Sequence, residues 1–335
     1  MKRIFALLLI GLSLNGCDDG DLIFDEFDFE DVSVARCPNV ATGVTSNILY
    51  KINNPEILIL QIPNLETVLP DTPTPAEGLD PISIDGTNIR VVYRLYNGDA
   101  TAANICDAIQ PPTPAVTEEW NAIAGMIYIT TTAIITPNTA DGFTGGETIS
   151  KLRHAIKLKN ITFQTPNNQI RRDSLAFGNY DSAFDAPTLN IGGTPAVCDL
   201  ASPSPYDLLY KVAAATAITI NIDPALLDET ILGTPKTGVI SGEMNRVTYR
   251  EYAIGTDLSA LTNFCTEFPA LTPTETWISQ DGVVGVSGIV EVTTTTLGSG
   301  VTHTIKLKNV RLQNSAGNLS FKIADDYEFG ELIVN

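Results

Sequence analysis

His154-Ala-Ile-Lys-Leu-Lys-Asn160 recurs as His303-Thr-Ile-Lys-Leu-Lys-Asn309, identical at six of seven positions. In both stretches apolar and polar residues alternate, the period of a strand with one buried face. His154, Ile156 and Leu158 fall on one side, and Lys157 and Lys159 on the other. A His that leads such an apolar face reads as a satisfied structural group before it reads as a metal ligand or a catalytic base.

Further matches follow in the same order along the 335-residue chain. Leu49-Tyr50-Lys51 pairs with Leu209-Tyr210-Lys211, and Tyr93-Arg94-Leu95-Tyr96 with Tyr249-Arg250-Glu251-Tyr252. Thr117-Glu118-Glu119-Trp120 pairs with Thr274-Glu275-Thr276-Trp277, and the threonine runs at 130–132 and 293–295 also correspond. The chain therefore holds two copies of a unit of about 150 residues, at 32–186 and 187–335. A resemblance between 184–191 and the chain's end at 329–334 carries the last strand of copy 1 to Ile191. Only 192–196 then remains as a link, which predicts a stiff tandem.

In the second copy the alternation predicts strands near 206–212, 216–223, 237–254 with an internal turn, 283–297, 301–314, 318–324 and 327–334. Turn signals at 298–300 and 314–317 separate the later ones. Segments 101–107 and 257–264 read as single helical turns. No long amphipathic helix interrupts this pattern, so the expected fold is all-β: two tandem homologous β-sandwich domains, Ig-like or jelly-roll-like, with lipocalin-like β-barrels as the alternative.

The chain has five Cys. Cys37 and Cys106 lie 69 positions apart and Cys198 and Cys265 lie 67 apart, one pair in each copy. Matched spacing predicts two disulfides within the copies. A zinc site is disfavoured because no Cys-x-x-Cys occurs and there are only two His.

Cys17 stands apart from this pattern. Residues 1–16 have a basic start at Lys2 and Arg3, an apolar run from Ile4 to Leu12 and a small polar end, the layout of a secretion signal too short to span a membrane. Leu14-Asn15-Gly16-Cys17 resembles the lipobox of bacterial lipoproteins, in which the signal is cut before a Cys that then carries lipid. The resemblance implies lipidation at Cys17. Residues 17–31 form an acidic tether, with eight Asp or Glu between 18 and 31. Acids placed directly after the lipidated Cys resemble the export signal of surface lipoproteins of the Bacteroidota, which implies an outer-membrane anchor facing the cell exterior. In some other Gram-negative bacteria Asp after the Cys instead retains a lipoprotein in the inner membrane.

Twenty Lys and Arg against 39 Asp and Glu give a net charge of −19, which excludes a nucleic-acid partner that would require clustered bases. No Gly-x-Ser-x-Gly elbow, His-Glu-x-x-His helix or phosphate loop is present, and no cofactor is called for. The best candidates for a ligand surface are Arg94 and Tyr96, their copies Arg250 and Tyr252, and Trp120 and Trp277. An exposed ring beside an Arg can stack on a sugar or hold an anion. The alternative is that Tyr93 and Tyr249 are core residues while Arg94 and Arg250 pair with local acids, and that Trp120 and Trp277 are lids over the core. Three function classes follow: a non-catalytic structural, adhesion or accessory binding protein with an envelope partner; a glycan-binding surface lipoprotein, which needs exposed aromatics; and an extracytoplasmic hydrolase, which needs converging polar groups.

Overall fold

The structure is a computed structural model and describes residues 29–38, 46–198, 207–258 and 271–334. Copy 1 contains β1 (Ala35–Arg36), β2 (Ile48–Asn53), β3 (Glu56–Gln61), β4 (Ile82–Ser83), β5 (Arg90–Tyr96), β6 (Val116–Pro137), β7 (Glu147–Gln164) and β8 (Gln169–Ala183). They form one sheet in the order β1-β2-β3-β5-β6-β7-β8, with β4 paired to β6. Copy 2 contains β9 (Ala196–Val197), β10 (Asp207–Ala213), β11 (Thr216–Ile222), β12 (Lys236–Val239), β13 (Arg246–Glu251), β14 (Glu275–Ser279), β15 (Ile289–Leu297), β16 (Gly300–Lys308), β17 (Arg311–Asn314), β18 (Ser320–Lys322) and β19 (Asp326–Val334). These form two sheets, β18-β17-β14-β13-β11-β10-β9 and β12-β15-β16-β19.

The protein is all-β. In copy 2 both sheets line a single core: Leu209, Ile218, Val247, Tyr249, Trp277 and Leu312 from one, and Val290, Val292, Ile305, Leu307 and Phe329 from the other. Two sheets sharing an apolar interior make a β-sandwich. Among the described residues every sheet is an open path, so the lipocalin-type barrel is not formed. Strands follow chain order within each sheet, a meander in which the chain passes repeatedly from one layer to the other.

The repeated heptapeptide explains one of these passages. Ile156, Leu158, Ile305 and Leu307 are buried, as alternation requires. The closing Asn160 and Asn309 both take a left-handed backbone, φ 50° and 49°, which Asn tolerates better than most residues. At Asn309 the chain leaves β16 in one sheet and enters β17 in the other. Copy 1 makes the same turn inside the unbroken β7.

Buried lysines are a second shared device. A bulge between Ile305 and Lys306 on β16 leaves Phe329 of β19 without a cross-strand partner, and such an unpaired backbone group needs another donor. Lys211 Nζ supplies it, donating to the Phe329 carbonyl at 3.0 Å. Lys51, the copy-1 equivalent, is also buried and donates to the Phe29 carbonyl. Phe29, placed by composition in the acidic tether, is itself buried.

Two strand limits depart from expectation. β8 ends at Ala183, well before Ile191. The structural match to Phe329-Gly330 is Phe177-Gly178: both Phe are fully buried and both Gly have positive φ, 140° and 122°. In copy 2, β14 at Glu275–Ser279 lies outside the predicted strands, and 283–288 is not a strand but a turn structure before β15. The helical turn expected at 101–107 is present as Ala103–Cys106, whereas 257–264 falls largely outside the described residues.

Contacts gather the chain into two compact units made of discontinuous pieces. Among the described residues, unit 1 combines those within 29–63, 83–125 and 159–178, and unit 2 those within 64–82, 126–158 and 179–334. Unit 1 is stapled by the Cys37–Cys106 disulfide, Cα atoms 5.4 Å apart, above a cluster of Tyr50, Ile57, Ile59, Val92, Tyr96 and Ile105. In unit 2, copy-1 residues enter the copy-2 core: Phe143, Ile149 and Leu152 join it. The Phe143 ring lies 5.4 Å from that of Tyr327, and Glu147 pairs with Arg311 at 2.9 Å while accepting the Lys322 amide. Residues 126–158 of copy 1 therefore pack with copy 2 inside unit 2, and because β8 ends at Ala183 the connection to β9 is the longer stretch 184–195 rather than the short link expected. Cys198 is disulfide-bonded; its expected partner Cys265 lies outside the described residues, as does Cys17.

Candidate functional site

β5 and β6 place Tyr93 directly opposite Trp120, and β13 and β14 place Tyr249 opposite Trp277. In copy 1 the rings lie 4.4 Å apart. Trp120 Nε1 donates to Glu118 Oε1 at 2.7 Å, and the Tyr93 hydroxyl donates to Glu56. In copy 2 Trp277 meets Phe321 edge-on at 5.2 Å. Thr216 stands where copy 1 has Glu56, so Tyr249 loses that acceptor. Burial pushes the Tyr249 hydroxyl up to about 12. Burial also raises the Glu275 carboxyl, and unlike Trp120 the buried Trp277 Nε1 meets no acceptor among the described residues. Trp120 is 2% exposed and Trp277 not at all. Neither offers a ring face to a ligand; both are core.

The remaining pairs are likewise absorbed into the fold. Alternation puts Arg94 and Tyr96 on one face, but at Tyr96 that face is covered by the helical turn Ala103–Cys106 rather than by water. Tyr96 is buried in the cluster around the disulfide, and its hydroxyl donates weakly to the Asn104 carbonyl at 3.4 Å. Arg94 Nε pairs with Glu119 Oε2 at 2.8 Å. Tyr252 is buried with Cys198, Leu208 and Leu258. Arg250 is half-buried, Nη1 reaching Thr219 Oγ1 at 3.5 Å, and burial pulls its guanidinium below the usual range. The structure thus overturns a stacking role for Tyr96, Trp120, Tyr252 and Trp277: sequence alternation identified a shared face without revealing what covers it.

The two His are buried, at 0% and 1% exposure. His154 Nδ1 shares a 2.8 Å hydrogen bond with Thr131 Oγ1, and Nε2 shares one of 2.9 Å with Ser182 Oγ. Its ring stacks on Tyr180 at 6.0 Å. His303 keeps the Thr bond, Nδ1 to Thr294 Oγ1 at 2.9 Å, but Val334 stands where Ser182 would be. Burial pulls both imidazoles below their usual value. The Ser182–His154–Thr131 chain has the connectivity of a nucleophile relay. Its third member is a hydroxyl, however, which cannot stabilise an imidazolium as a carboxylate does. What the copies share is the His–Thr pair, and the buried Ile and Leu beside it explain why: each His satisfies a polar position on a packed face. Among the described residues no group of three or more His, Cys, Asp or Glu is arranged to share a metal.

A concave surface does occur on copy 2, as a shallow groove of about 570 Å³. Three separate segments build it: Arg246 from β13, 278–281 from β14 and just beyond, and Gln313 to Gly317 at the β17 turn. Arg246 holds the Ser279 carbonyl and, at 2.9 Å, Asp281 Oδ1, so its charge is matched. Gln280 Nε2 donates to Gln313 Oε1 at 3.0 Å, and Gln313 Nε2 donates to the Gly317 carbonyl at 2.7 Å. Ile278 adds an apolar edge, 38% exposed. Planar amides beside a neutralised ion pair suit a hydroxylated, uncharged ligand. None of these residues stands out in sequence, because strand pairing alone brings them together. No protein-family model, curated protein or solved structure matches this chain.

Proposed function

We propose that this chain is a lipid-anchored protein of the bacterial outer membrane, facing the cell exterior, whose folded part has a non-catalytic structural, adhesion or accessory binding role. The Cys37–Cys106 disulfide carries the reading: such bonds persist in oxidising compartments, the destination implied by the leader and by Cys17. The features common to both copies support the non-catalytic part. The His–Thr pairs, the buried Lys and the cross-strand Tyr–Trp pairs all brace the β-framework from inside, which leaves interaction to surfaces on which the copies differ. Mass spectrometry of the membrane fraction should find acylated Cys17 and no Met1. A soluble mature protein with unmodified Cys17 refutes the anchor.

The amide-lined groove favours glycan binding as a second reading, through hydrogen bonding rather than ring stacking.

A further inference from the structure

One surface feature of copy 2 projects beyond the packed sheets. Between β14 and β15 the chain makes a protruding tip, Gly282-Val283-Val284-Gly285-Val286-Ser287, with the three valines 57%, 82% and 63% exposed. Copy 1 provides an internal control, because there the corresponding strand β6 runs uninterrupted from Val116 to Pro137. In copy 2 the tip lies on the passage from β14 in one sheet to β15 in the other, a stretch that copy 1 covers without any protrusion, and exposed apolar groups clustered in this way mark a contact surface.

The tip is nevertheless built with definite geometry. The Val283 amide donates to the Ser287 carbonyl at 2.9 Å, and the amides of Val286 and Ser287 both donate to the Val283 carbonyl. Its base is clamped: the Gly282 amide donates to Ile240 and the Gly288 amide to Asn309, while Asn309 Nδ2 donates to the Val286 carbonyl at 3.3 Å. The base also needs glycine, since a Cβ on Gly288 would lie 2.5 Å from the Gly282 Cα. Three of its amides are satisfied internally, which lowers the cost of leaving water, while the apex amides of Val284 and Gly285 are left to water or headgroups and confine any entry to the interface.

Charge decides the kind of surface. Residues 282–290 carry no charge, and the adjacent Asp281 is paired with Arg246. Interfacial elements that seek anionic lipid carry Lys and Arg, whereas this tip has none and the whole chain is at −19. An uncharged lipid surface fits; an anionic one does not.

We propose that the 283–286 tip is a membrane-contacting element that inserts its valines shallowly into a zwitterionic lipid surface, as a second point of attachment beside acylated Cys17. This rests on the lipid-anchor reading, because three valines alone bind a bilayer weakly and a first anchor must hold the chain there. The test uses the full acylated chain carrying Val284→Trp on phosphatidylcholine vesicles with and without brominated acyl chains. Trp120 and Trp277 are 2% and 0% exposed, so the added indole supplies the lipid-sensitive signal, and the exposure of Val284 keeps the substitution out of the core. The expected result is a blue-shifted emission that bromolipid quenches about twofold or more relative to the unsubstituted chain, and that is lost when Val283→Asp and Val286→Asp are added. A chain that floats with the vesicles while its indole stays water-exposed and unquenched overturns the tip and leaves the anchor standing. An indole that becomes buried only as protein concentration rises, without quenching, assigns the tip to a protein contact and also overturns the proposal. A chain that does not float refutes the anchor reading and the tip's role with it.

Discussion

His154 and His303 are held as neutral imidazoles by burial and by hydroxyl partners, and that has a thermodynamic consequence. In the unfolded chain each titrates near 6.5, whereas in the folded protein each is pulled lower. Below the unfolded value the unfolded state therefore binds protons that the folded state refuses, so stability is full above about pH 6.5 and falls as pH drops. The slope is at most about 1.4 kcal/mol per pH unit for each His. Asp181, held well below the usual carboxylate range chiefly by Arg153, loses its contribution only at much lower pH. Glu275, raised by burial, acts in the opposite sense as pH falls through its folded value, one carboxyl against two imidazoles. Urea unfolding midpoints should decline between pH 7 and pH 5 in the wild type, and the decline should flatten when His154→Gln and His303→Gln are combined. A flat wild-type profile, or an unchanged slope in the double variant, would show that these residues do not carry the linkage.

At the scale of the strand, bends mattered more than lengths. Gly125 lies in β6 with φ 140°, where a Cβ would sit 3.0 Å from the Ile161 Cα and 3.1 Å from Ile84 Cδ1. Gly125→Ala should cost about 1–3 kcal/mol through backbone strain and crowding, read as a lower urea midpoint with an unchanged slope. Gly98→Ala, whose Cβ would meet only Pro114 at 3.6 Å, is the matched control and should be nearly neutral. Equal effects from the two would remove the bend as the cause. The same elements show what was legible in the sequence. Alternation located the heptapeptide strands and the buried Ile156, Leu158, Ile305 and Leu307, because period-two burial is a local property. It passed over β14, a five-residue strand that follows a Pro-containing stretch, and it read the valines at 283–286 as strand because apolar residues in an exposed turn have no distinct period. The faces of Tyr96 and Tyr252 were legible but their covering was not, since that depends on distant segments. The groove was not legible at all, because Arg246, Gln280 and Gln313 meet only through the pairing of β13, β14 and β17.

For the whole molecule, the repeat describes how the sequence is organised, while the packing describes what must fold together. Phe143 belongs to copy 1 by sequence, yet it is 5% exposed inside a core built mainly by copy 2, beside Tyr327. Around it Asp325 donates its amide to Thr144, and Glu147 holds both Arg311 and the Lys322 amide. Removing the ring leaves a cavity lined by copy-2 residues, and Phe→Ala changes in cores cost about 3–5 kcal/mol. Phe143→Ala should therefore accelerate hydrogen exchange in β17, β18 and β19, more than a hundred residues away in sequence, while leaving β2 and β3 of unit 1 little changed. Independent folding of the two copies predicts the reverse, with the loss confined to copy-1 strands and the exchange of β19 untouched. That outcome would show that the Phe143 contact contributes nothing to copy 2 and that each repeat folds on its own.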